Sequence, residues 1–170
     1  MKIKKETGNM VKKEINSGFS FGLTSGVITT LGLMIGLYSG TNSKLAIIGG
    51  ILVIAFADAF SDSLGIHILK ESEKGTTKKK IWSATASSFI TKLIIALTFL
   101  IPILLFQLNL AIGISIIWGL LLLNLLSYKI AKSRKQNPLK VMGEHFLIAI
   151  IVVILSNLIG RFVANFFIAL

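Results

Sequence analysis

Five long apolar stretches, joined by connections too short to fold alone, leave this chain one solvent that suits it: a lipid bilayer. A membrane-crossing helix needs about 20 mostly apolar residues, because the hydrocarbon core is about 30 Å thick and a helix rises about 1.5 Å per residue. Residues 17–40, 45–69, 81–106, 109–128 and 143–169 meet that requirement. Charged residues make up 15% of the 170, too few to cover a water-facing surface on every side. The expected fold is therefore all-α. It is a polytopic five-transmembrane-helix bundle forming a single domain over 17–170, preceded by a basic segment over 1–16.

The net charge of +11 does not point to nucleic acid, because of where the charge lies. Fifteen of the 18 Lys and Arg residues fall in three segments: up to Lys13, Lys70 to Lys80, and Lys129 to Lys140. Each borders an apolar stretch, as juxtamembrane basic residues do. In chain order the six polar segments hold five, one, five, none, five and no basic residues. The positive-inside rule then predicts a cytoplasmic N-terminus, an outside C-terminus and a multi-pass protein of the cell membrane. No cleavable leader is expected, since the first 16 residues are polar and basic. Their sparse apolar positions, Ile3, Met10, Val11 and Ile15, suit either a short interfacial helix or a basic tail.

Six of the 15 glycines lie in the first span: Gly18, Gly22, Gly26, Gly32, Gly36 and Gly40. At about 100° per residue they share one face with Ser25 and Thr29. Lipid gives helices no hydrophobic reason to associate, so small residues that admit a close neighbour supply the contact. This face predicts tight packing, within one copy or between two, and it could also line a substrate path.

The second span carries Asp58 and Asp62, one turn apart on one face near mid-membrane, with Ser61 and Gly65 on the same stripe. Glu73 would extend that stripe beyond the membrane. An intramembrane charge costs at least about 2.5 kcal/mol, so two acids within a turn need cations, protons or a polar cavity. Two carboxylates and a serine hydroxyl form part of a shell for a hard divalent cation. The competing readings are a proton relay, or buried ion pairs with Lys92 of the third span and Arg161 of the fifth. His67 lies on the face opposite Asp58 and reads as an interfacial residue. His145, beside Glu144, reads as a headgroup contact, and Asn157, Arg161 and Asn165 form a polar stripe facing other helices.

With no cysteine, there is neither a disulfide nor a thiolate metal site. No nucleophile elbow, HExxH sequence or phosphate loop is present, so an enzyme is not expected, nor a resident cofactor.

Two segments, FGLTSGVITTLGLMIGLYSG in span 1 and ADAFSDSLGIHILKESE in span 2, resemble the first two spans of the vacuolar iron transporter family. That family carries patterns like NDGxxTTxGLxxG and AxxSMxxGEYxSxxSQxE; the Gly160-Arg161 region of span 5 is also similar. The resemblance covers the whole chain in topology and about 50 residues in motif. It implies a homodimer whose first two spans line a path for ferrous iron or manganese, exported from the cytoplasm against protons; pairing of two copies through spans 1 and 2 is the expectation for this chain. Carried over by position, the family's span 1 acid falls on Ser25, its methionine on Asp62 and its glutamate after the glycine on Ile66. Glu73 matches the final acidic position. The glutamate-rich insert of many members has no counterpart in the lysine-rich gap after span 2. Loss of the methionine sulfur favours manganese, magnesium or calcium over iron. The two expectations carried forward are a dimeric, proton-coupled divalent-cation transporter and a non-transporting scaffold or partner subunit whose acids Lys92 and Arg161 neutralise. A proton-coupled carrier for an organic solute is a third.

Overall fold

The structure, a computed structural model, describes residues 2–167, with the side chains of residues 2–7 and 9 left aside. Those residues form helices only: α1 (Lys2–Thr41), α2 (Lys44–Ser72), α3 (Lys78–Thr98), α4 (Leu100–Leu105), α5 (Leu108–Ser133) and α6 (Pro138–Phe167). Five of the helical stretches, with α3 and α4 counted as one over Lys78–Leu105, are long and apolar enough to cross a membrane. This is a multi-pass membrane architecture. The Ile3 side chain and residues 168 and 169 of the expected fifth span lie outside the described residues.

Residues 2–16 join the first span in one unbroken helix. Its 40 residues make it about 60 Å long, roughly twice the hydrocarbon thickness. The polar extension lies along α3, where Ser87 Oγ donates to the Ile15 carbonyl at 2.8 Å and Lys80 Nζ approaches Met10 Sδ at 3.2 Å.

The third span contains a break that hydropathy alone does not reveal. Pro102 has no N–H to give to the carbonyl of Thr98, and its ring crowds that carbonyl. The chain leaves α3 at Phe99, whose N–H bonds to Ala96 at 3.2 Å, and resumes as α4. Short turns close the other connections. Asn42 takes a left-handed φ of 48°, and Ser43 caps α2 by accepting from the Ala46 N–H at 3.2 Å. Pro138 opens α6, where its missing donor would have had no partner anyway.

Helix α1 is the hub, touching α2, α3, α5 and α6. Val27, Leu31 and Met34 from it are fully buried against Ile47 and Ile51 of α2, Phe99 and Ile103. The glycine face divides between two neighbours. Gly18, Gly22 and Gly26 meet the backbone of α3, whereas Gly32, Gly36 and Gly40 meet α6 around Ser156 and Gly160. A Cβ on Gly22 would stand 2.5 Å from the Ser88 carbonyl oxygen, so only glycine admits this approach. The outer surface is apolar all round, as Phe60, Ile117, Leu158 and Phe162 illustrate, which suits acyl chains and not water.

Candidate functional site

The glycine seam between α1 and α3 sets the geometry at mid-depth. By drawing the two backbones together, it places Ser25 of α1 beside Lys92 of α3. Asp58 and Asp62 arrive from α2, with Asp58 fourteen residues from either end of that helix. Lys92 is 1% exposed, the largest fully buried side chain in the protein's described residues. Long cationic side chains seldom sink so far from water without partners.

Its partners are the two acids and the serine. Lys92 Nζ donates to Ser25 Oγ at 2.8 Å and to Asp62 Oδ2, and Ser25 Oγ donates to the same Asp62 oxygen at 2.5 Å. Lys92, Ser25 and Asp62 thus close a ring of three charge-assisted hydrogen bonds across three helices. Asp58 stands outside the ring. Its Oδ2 lies 2.5 Å from Lys92 Nζ, off the direction of a hydrogen bond, and accepts none from another described residue. Electrostatic attraction alone holds it.

Charge does not balance in this cluster. Two carboxylates face one ammonium, so with all three ionised the group carries one net negative charge at the depth where charge is least tolerated. Both acids also keep an outlet, with side chains 25% (Asp58) and 20% (Asp62) exposed. A groove of about 490 Å³ between α1 and α2 leads to Asp58, lined also by Thr29, Leu33, Gly50 and Ser61. Thr29 uses its hydroxyl on the Ser25 carbonyl at 2.9 Å.

Other expected members lie elsewhere. Ser61 lines the groove but makes no hydrogen bond to either acid. Glu73 sits just past α2, eleven residues or about 16 Å from Asp62 along the helix axis. There it pairs with Lys70 at 2.9 Å, and Lys70 also binds Glu14 at 3.0 Å. Arg161 does not reach the acids. It lines a polar groove of about 330 Å³ at the far end of α1, with Tyr38, Ser39, Asn42, Asn109 and Asn157. Lys92 is therefore the one base that neutralises them among the described residues. Gly22 and Gly26 are buried in the packing against α3, whereas Gly32 and Gly36 lie against α6 and stay half-buried.

The histidines hold helix pairs together. His67 Nδ1 lies 3.1 Å from Thr85 Oγ1, and that hydroxyl donates to Ile81, so the ring N–H is the donor. His145 Nδ1 stands in the same relation to Ser127 at 2.6 Å. No group of three or more His, Asp or Glu side chains is gathered for a metal among the described residues. Sequence reasoning assigned Ser25 to the small-residue face and missed its hydroxyl as the bridge between acid and base. The signal was Ser25 standing at the same depth as Asp62 and Lys92. Comparison with known proteins finds no matching family, no matching curated protein and no matching solved structure.

Proposed function

We propose that this chain is a membrane transporter of divalent cations, and that Asp58 and Asp62 bind the cation in competition with Lys92. The observation that carries the reading is the buried lysine held between two acids, one of them without a hydrogen bond, at the end of a groove. A divalent ion that displaces Lys92 as a neutral amine leaves a cluster of zero net charge. The ammonium state leaves it at minus one. Binding is therefore favoured by charge balance and releases the lysine proton, which couples cation movement to protons. Oxygen ligands from Asp58, Asp62 and Ser25, with Ser61 beside the groove, suit hard ions such as manganese, magnesium or calcium. That agrees with the resemblance to vacuolar iron transporters in scaffold while departing from it in ligand chemistry.

The basic end of the bundle faces the cytoplasm of the cell membrane in this reading, and transport runs outward against protons. Two copies pair along α1 and α2, because the groove leaves Asp58 beside acyl chains unless a second copy covers it.

A second reading rests on the same ion pairs. The ring ties α1, α2 and α3 together, and as a structural pin it would serve a scaffold that moves nothing. Flux separates the two. Reconstituted into liposomes with an internal pH dye, the wild type takes up manganese with opposed proton movement, and Asp58→Asn, Asp62→Asn and Lys92→Gln fall to background while remaining folded. Equal flux in all four proteins would remove these residues as the site.

A further inference from the structure

A second groove, between α2 and α3 on the basic half of the bundle, shares only Ser61 with the site above. It encloses about 810 Å³ between Phe60, Leu64 and His67 of α2 and Trp82, Ala86 and Phe89 of α3. Its walls are almost wholly apolar, with His67 tied down by Thr85 and packed edge-on against Trp82 at 4.8 Å. Along α3 it runs from Trp82 to Ile90, about 12 Å, close to the half-thickness of a hydrocarbon core at about 15 Å.

The charge at its mouth is one-sided. Lys78 and Lys79 stand four and three residues before Trp82, on the same face of α3 and one turn nearer the basic end. Both are exposed, and neither is within salt-bridge distance of a carboxylate among the described residues. Lys70, by contrast, is already held by Glu14 and Glu73. On the α2 side, Glu71 sets one negative charge against Lys74. A leaflet-deep apolar slot ending at an interfacial tryptophan and two exposed lysines matches one kind of molecule.

We propose that the groove binds an anionic phospholipid, with one acyl chain along Leu64 and Phe89 and its phosphate at Lys78 and Lys79. The test uses Trp82 as reporter in the full chain, with Trp118→Phe as background so that Trp82 alone emits. Nanodiscs of fixed phosphatidylglycerol and phosphatidylcholine content are prepared with bromine on the chains of one lipid or the other. Brominated phosphatidylglycerol should quench Trp82 more strongly than brominated phosphatidylcholine. That preference should fall about fivefold for each of Lys78→Gln and Lys79→Gln. Ala86→Phe, which fills the slot and leaves the lysines, should lower it as well. Equal quenching by the two lipids overturns the proposal, as does a preference that survives Ala86→Phe undiminished. A Trp82 shielded from both lipids would mean that a second copy covers the groove, and overturns it too.

Discussion

At the level of single residues, the unequal grip of Lys92 on its two acids makes a prediction. Asp62 accepts hydrogen bonds from Lys92 and Ser25, whereas Asp58 has only the ionic contact. Asp62→Asn should therefore destabilise the protein more than Asp58→Asn, and Lys92→Met, which leaves two acids without a base, should destabilise it most, by about 3 kcal/mol. Unfolding in mixed micelles followed by circular dichroism gives the ranking; a reversed order of the two Asn variants would contradict the geometry. The depth of Asp58, Asp62 and Lys92 was legible from hydropathy, because each falls near the middle of its span. Which base meets the acids was not. Arg161 was expected somewhat further out than Lys92 yet still as a partner, and the packing of α6 on α1 through Gly160 holds it at the end of α1 away from the acids.

Among the helices, periodicity showed that one face of α1 is small without showing what covers it. Two helices do, α3 below and α6 above, and the division follows from contacts distant in sequence. The test is a pair of glycines. Gly22→Ala forces a Cβ against the α3 backbone and should cost about 2 kcal/mol. Gly49→Ala on α2 meets nothing within 4 Å and should gain up to about 1 kcal/mol through helix propensity. Thermal melting of both variants in one detergent checks the contrast, and equal shifts would mean that α1 and α3 are further apart than described. The division of the third span at Pro102 was hidden because a window average of hydropathy hardly registers one proline, while the backbone loses a hydrogen bond there. The unbroken α1 was hidden because a basic tail and a helical one have the same composition.

For the molecule as a whole, the five spans were readable because each exceeds the length that the bilayer demands, and the described helices agree with them closely. Orientation rests on charge, and the absence of native cysteine makes it straightforward to probe. A cysteine placed at Gly75 should react with a membrane-impermeant maleimide only after the cell membrane is opened, and one at Asn42 should react in intact cells; the reverse pattern would invert the assigned topology. The proposed transport function turns on an exchange of the Lys92 ammonium for a cation. The most direct measurement is proton release on manganese addition to the purified protein in weakly buffered detergent. Exchange of the Lys92 ammonium for the metal predicts about one proton released per ion bound in the wild type and none in Lys92→Met. Manganese that fails to bind, or that binds with no proton released, would contradict the account and leave the Asp58–Lys92–Asp62 cluster as a pin between helices.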